Sequence, residues 1–468
     1  LLDLAPEDQP TGLRLIISSD HFRGVAKLPY ITLSHCWGTC KIVTLTTSNI
    51  AQFQNSIELE SLSKTFQEAI LVTRRLGIRY LWIDSLCIIQ DSTDDWRKES
   101  AMMDKVYGEG LFGIAASGAP DGDQGLFFER DRCLIEPIAT EMWPNLISLS
   151  MVEQRSMWED NPLQKRAWAL QERALATRII DFGREQVTWT CLQRYASESD
   201  PDGTEVQEEP ENDHFNPLRI WRVKSSDELD SGYEWDRIVG NYSRCALTFP
   251  GDRLVALSAV AKEFKARQLE LSDEYLAGLW RSHLPQALLW HVKCEESSSA
   301  NYIAPSWSWT STGQGVRCFG RFLLQGHFTP RIIEARTMFY NDNPYGEVRG
   351  GFIILECFLC SATATEHLGG EQTIQINPPR GDETASVDVI TEFDEGGWLW
   401  DDKVRRANFT IMLISVGKMI PGKIPTHWTR GLLLERTAKG QFARLGAFAL
   451  HLPQDQLDGF QKETITLI

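Results

Sequence analysis

The sequence contains no uninterrupted apolar run of about 20 residues, the length a membrane-spanning helix needs. Its opening, LLDLAPEDQPTGLRLIISSD, has neither a basic stretch nor a long apolar core, so it is not a secretory signal. The first residue is Leu rather than Met, so segment 1–29 is expected to be an N-terminal segment whose start is a truncation edge. Positive charge is in short supply: 47 Lys and Arg stand against 64 Asp and Glu, a net charge of −17. Phosphate contacts need a basic face, so this balance argues against a nucleic-acid partner. No unit of about 20–50 residues repeats, which excludes a solenoid or propeller. Cysteines do not form a framework either. Ten are scattered, and Cys87, Cys191, Cys245 and Cys357 sit in apolar runs. That pattern suits buried, reduced thiols of a cytoplasmic protein.

What is present is ordinary globular material, with 42% hydrophobic and 24% charged residues, which excludes wholesale disorder. The clearest boundary is 196–215, with eight acids, two Pro and no Lys or Arg. Such a segment buries too little apolar surface to offset its ordering entropy, and is expected as a solvated linker or loop. It separates residues 30–195 from a C-terminal region at 216–468.

Before the linker, strand and helix patterns alternate. YITLS (30–34), RYLWID (79–84) and LFGIAA (111–116) read as strands. Helical spacing covers 62–76, with Thr65 and Glu68 at capping-box distance and Gly77 as the stop. A second helix is expected at about 94–107 behind the acidic cap 91–95, and a short one at 166–176. Strand–helix–strand alternation predicts a parallel α/β sheet with flanking helices. Ile179–Phe182 and Gln186–Cys191 read as two further strands. Beyond the linker, helical periodicity at 235–247 and 254–267 gives way to β runs at 307–311, 352–364, 408–415 and 431–436. The C-terminal region is therefore expected to be mixed α+β.

Several motifs fail on chemistry. GEGLFG (108–113) matches GxGxxG, but a helix precedes it and a strand follows, the reverse of a dinucleotide loop. DGDQG (121–125) lacks the rest of a calcium loop. Cys357 and Cys360 form a lone CxxC without the second ligand pair that zinc needs. No metal site is expected. Cys36 beside His35 suggests a thiolate–imidazole pair, but strand neighbours point to opposite faces.

Two constellations are stronger. Asp84 and Ser85 leave the end of an apolar strand, where parallel α/β sheets bind ligands. Their bland alternative is to brace the loop backbone. Trp168 and Glu172 lie at i, i+4 on one helical face, an indole beside a carboxylate. Such a pair suits an aromatic-plus-sugar ligand, against the alternative of a core Trp and an Arg-paired Glu.

YITLSHCWG (30–38), the long block 62–117 and RAWALQERALATRIIDFG (166–183) strongly resemble the fungal heterokaryon incompatibility (HET) domain. The later stretches DRLVALSAVAKEF, YLAGLW, YIAPSWSWTS and GLLLER resemble the usual C-terminal region of such proteins. The resemblance implies a role in fungal non-self recognition and programmed cell death through protein contacts. Partners would be other incompatibility proteins or a second copy. It also implies a distant likeness to TIR domains, hence a flavodoxin-like sheet, and an alternative activity as an NAD glycohydrolase. On that alternative Glu172 is the catalytic residue, with Ser34, Trp37, Gly38, Asp84, Ser85 and Trp168 lining the site. NAD is then a substrate, and no cofactor is expected. His35 stands where the family often has Tyr, and about fifty residues separate Ala116 from Trp168, more than in TIR domains.

Overall fold

The computed structural model describes residues 1–6, 12–18, 28–130, 138–142, 145–149, 161–205, 228–270, 272–292, 302–313, 315–318, 328–340, 343–366, 372–377, 385–388, 408–420, 426–453 and 457–468. The chain divides into two units. The first takes Leu1–Lys224, Cys245–Thr248 and Val255–Arg267, and the second the remainder.

The first unit is built on a nine-stranded sheet. Its strands are β1 (Leu2–Asp3), β2 (Arg14–Leu15), β3 (Tyr30–Ser34), β4 (Tyr80–Ile83), β5 (Phe112–Ala115), β8 (Arg178–Phe182), β9 (Val187–Cys191), β10 (Arg194–Ser197) and β11 (Thr204–Glu205). A separate hairpin, β6 (Ile138–Met142) with β7 (Asn145–Leu149), occupies part of the long stretch between Ala116 and Trp168. Sheet order is β11-β10-β9-β8-β5-β3-β4-β1-β2. The middle pairs, β4 with β3, β3 with β5 and β5 with β8, are parallel, as the strand–helix alternation predicts. Antiparallel strands extend both edges.

The helices are α1 (Ile50–Asn55), α2 (Lys64–Arg75), α3 (Asp84–Cys87), α4 (Thr93–Ser100), α5 (Met103–Glu109) and α6 (Ala167–Leu175). In α2, Phe66, Ala69, Ile70 and Thr73 recur at helical spacing and are buried, and Gly77 ends the turn at φ +73°. The capping box does not form. The helix begins at Lys64, and the Glu68 carboxylate instead accepts the backbone N–H groups of Leu126 and Phe127. The single helix expected at 94–107 is two, broken at Ala101–Met102. The break turns Met103 and Tyr107 onto Trp82.

β3 alternates, and that alternation shapes the unit. Ile31 and Leu33 join α2 residues Phe66, Ala69 and Ile70 in an apolar core. Thr32 and Ser34 point the other way, in register with Gly113 and Ala115 of β5. The face beneath α6 is therefore made of small and hydroxyl side chains, which lets the helix approach closely.

The acidic segment differs from its expectation. Residues 194–205 form a hairpin in the sheet, turning near Gly203 at φ +66°. Glu198 accepts the Val187 N–H and pairs with Arg130, so these acids serve the turn. Residues 206–215 lie outside the described residues.

The second unit carries a helix at Glu228–Tyr242 and an eight-stranded sheet from strands between Arg331 and Leu467. The runs expected at 352–364, 408–415 and 431–436 lie within strands at 348–366, 408–420 and 426–436. The run at 307–311 is not a strand. Ser308 caps a 3-10 turn at Trp309–Thr312, and Trp307 and Trp309 are buried. Trp235 and Trp309 both donate their indole N–H to the Gly278 carbonyl at 2.9 Å. The second helix expected here, 254–267, belongs to the first unit, where it forms at Ser258–Gln268.

Candidate functional site

The carboxyl ends of β3 and β4 and the start of α6 bring the sequence candidates together. Asp84 opens α3 directly after β4. Its Oδ2 accepts the Trp37 indole N–H at 2.9 Å, and its Oδ1 accepts the Ser85 N–H at 2.7 Å and lies 3.6 Å from His35 Nδ1. One carboxylate thus ties the β4 end to the loop after β3. Ser85 is fully buried with an unpartnered Oγ. Gly38 sits at φ +60°, where an added Cβ would lie 2.4 Å from Asp121 Cβ, so the loops after β3 and β5 close tightly over one another.

Glu172 faces the same region from α6 and is only 8% exposed. Burial pushes its carboxyl up to about 7. The Arg166 cation, the nearby Asp84 charge (which acts upward) and hydrogen bonds from Ser34 and Tyr107 adjust that value. Glu172 Oε2 has no hydrogen-bond partner. Arg166, the residue before α6, donates to the His35 carbonyl. The Tyr107 hydroxyl is raised well above its usual range by burial first and by Glu172 and Asp84 second.

A cavity of about 180 Å³, its open mouth included, lies here, lined by Ser34, Tyr107, Gly113, Glu172, Arg173 and Ala176 among others. Arg173 on its far side is drawn to Asp181 of β8. Trp168 is not among the lining residues; it is half-buried and meets Trp96 edge-to-face at 6.2 Å.

The Cys–His pair does not form. His35 turns to the α2 side against Phe66, whereas Cys36 packs with Ala115, Ala169 and Ile179. Burial pushes the Cys36 thiol up to about 11 and His35 down to about 4, so neither is prepared for nucleophilic chemistry. Cys87, Cys191 and Cys245 are half-buried, less enclosed than their apolar runs imply. Cys357 and Cys360 are buried three apart in one strand, on opposite faces. Cys40, Asp121 and Asp123 bring ligand atoms within 4.8 Å of one another, and the Gly122 N–H donates to Cys40 Sγ.

Ser34, Trp37, Asp84 and Glu172 therefore converge, Gly38 and Ser85 brace the loops, and Trp168 stands apart. Sequence reasoning missed Tyr107, Arg166 and Thr32. The alternation of hydroxyl with apolar side chains in YITLS was the available signal for Thr32.

Residues 30–172 match the family model of the heterokaryon incompatibility protein (HET). The chain carries a HET domain. The matched stretch opens on the first residue of β3 and closes on Glu172, so it holds Ser34, Trp37, Asp84, Tyr107, Arg166 and Glu172, while Arg173 and Ala176 of the cavity wall lie just beyond it. Comparisons with curated proteins and with solved structures give no match. No helix among the described residues is long and apolar enough to cross a membrane.

Proposed function

We propose that the chain acts in fungal non-self recognition and regulated cell death, through contacts with other incompatibility proteins or a second copy. The HET domain match supports the setting. The size of the Glu172 cavity supports contact over chemistry, since it offers room for about one water, far less than a dinucleotide occupies. The test is induced expression in a filamentous fungus, following colony survival and NAD content together. Death with NAD unchanged, in the wild type and in Glu172→Gln alike, is expected. Survival of the wild type overturns the reading.

A second reading is hydrolysis of NAD at the nicotinamide–ribose bond. Its support is Glu172, a buried carboxylate with a free oxygen at the carboxyl edge of a parallel sheet. Such a group can hold a ribose hydroxyl or stabilise an oxocarbenium-like transition state. The cavity would have to widen to admit the substrate. Purified protein incubated with NAD should then release nicotinamide, read by chromatography, and Glu172→Gln should not. NAD loss preceding death in the fungal assay favours this reading over the first.

A further inference from the structure

Helix α6 is nine residues long, AWALQERAL, short of the roughly 12–15 that a helix needs to stand alone in water. Every side chain in it except Trp168 is buried, and Arg166 before it gives no side-chain cap. Its place in the molecule is therefore held by other chain, and two distant pieces take part. Ala246 meets Arg166 in an isolated parallel bridge. The Ala246 N–H donates to the Lys165 carbonyl at 2.6 Å, and its carbonyl accepts the Ala167 N–H at 3.1 Å. That N–H belongs to the first turn of α6, where the helix itself offers no acceptor. Beside it, Cys245 Sγ donates to the Gln164 carbonyl at 3.6 Å. The second piece begins at the buried turn Val255–Leu257 and continues as the helix Ser258–Gln268. Here the roles reverse. The Ala259 N–H, in the first turn of that helix, donates to Gln171 Oε1 of α6 at 3.0 Å. One turn on, Lys262, half-exposed, pairs with Asp104 of α5. The two pieces thus grip α6 at its start and at Gln171, the residue before Glu172. Both belong to the first unit, although the chain around them, 225–244, 249–254 and 268–468, builds the second. The cavity beneath α6 has room for about one water, so nothing larger reaches Glu172 while α6 stays in place.

We propose that these two pieces are a latch that restrains the HET domain: they hold α6 down beside Glu172, and their release lets α6 move and opens the carboxyl edge of the sheet. The restraint rests on the cell-death reading, in either of its forms, while the hold on α6 does not. No covalent bond changes. Release is an equilibrium between held and free α6, and a partner shifts it by preferring the free form. Lys262 and Asp104 are the point at which the latch can be altered from outside, because the lysine is half-exposed and its replacement leaves the packed core alone.

The test compares three full chains. One is the wild type. In Lys262→Glu two carboxylates oppose each other. The double variant Asp104→Lys, Lys262→Glu restores an opposite pair with its charges exchanged. Hydrogen exchange is followed in α6 against β3 and β4, and killing in the inducible fungal assay at matched protein abundance. Lys262→Glu should exchange its α6 amides on the order of threefold to tenfold faster, with β3 and β4 unchanged, and should kill at a lower inducer concentration. The double variant should return both readings to the wild-type values. Equal α6 exchange in all three chains, or no recovery in the double variant, overturns the latch. Faster exchange in β3 and β4 as well also overturns it, since that reports general loosening. Faster α6 exchange with killing unchanged or weaker overturns the restraint and leaves the cell-death reading standing. No killing by any of the three chains overturns the cell-death reading, and the exchange comparison then decides the hold on α6 by itself.

Discussion

At the scale of single residues, the burial of Glu172 sets its ionisation against the stability of the fold. Its folded pKa, about 7, exceeds the ordinary 4.5, so the fold favours the protonated acid. The stability this contributes is complete below about pH 4.5 and is lost as pH rises through about 7. The shift corresponds to on the order of 3 kcal/mol. Glu172→Gln cannot ionise, so it should be more stable than the wild type at pH 8 and similar at pH 4.5, in urea unfolding followed by fluorescence. Parallel pH profiles would show that Glu172 is not buried as described. His35 acts with the opposite slope. Its pKa falls from 6.5 to about 4, so its contribution is present above 6.5 and is lost as pH drops toward 4. Trp37 provides a separate check, because its indole N–H is one of the donors to Asp84. Trp37→Phe should cost roughly 1.5–3 kcal/mol, the range for a bond to a charged group. A loss below about 0.5 kcal/mol would place that bond among surface contacts.

At the scale of elements, two glycines with similar backbones should behave differently. Gly77 ends α2 at φ +73° with nothing within 4 Å of an added Cβ. Gly77→Ala should therefore cost only the left-handed penalty, about 1–2 kcal/mol. Gly38 at φ +60° adds a collision with Asp121 Cβ and the Pro120 carbonyl. Gly38→Ala should cost distinctly more, since a whole loop must move. Equal Tm losses would mean that the two loops are not packed together. The parallel core of the sheet was legible in the sequence because its strands are short apolar runs separated by helical spacing. The N-terminal pair β1 and β2 was not, since two residues give no period. Nor was the hairpin at 194–205, because its acids look solvated until Glu198 is seen holding the Val187 N–H. The Trp-rich stretch at 307–311 misled for a related reason: aromatic density resembles a strand, but here the indoles fill a core around a 3-10 turn. At the site, Asp84 and Glu172 were legible from strand-end position and helical spacing. Tyr107 and Arg166 act through tertiary placement that neither signal carries. Trp168 shares the helical face of Glu172, yet Trp96 engages it instead.

At the scale of the whole molecule, the HET match and the folding unit do not coincide. The match closes at Glu172, but the first unit takes in chain as far as Arg267. The Ala259 N–H donates to Gln171 Oε1 at 3.0 Å, and Ala259 packs with Trp82, Tyr107 and Leu175. Deleting everything after 224 removes that cover from a buried amide next to Glu172. A fragment ending at 224 should unfold at lower temperature than one ending at 267, by several degrees in calorimetry. Equal melting temperatures would show that the later helix adds nothing to the HET domain.

The alternation along β3 has a consequence for how variation in this protein would be read. Side chains at 31 and 33 hold the molecule together, while those at 32 and 34 point to the opposite face, where Ser34 lines the cavity under α6. In a saturation screen that scores protein abundance and cell killing separately, polar replacements at 31 and 33 should deplete the protein itself. Isosteric replacements such as Thr32→Val or Ser34→Ala should leave abundance near wild type, and any defect should fall in the second score. Four consecutive codons would then report, in strict alternation, on two different kinds of selection.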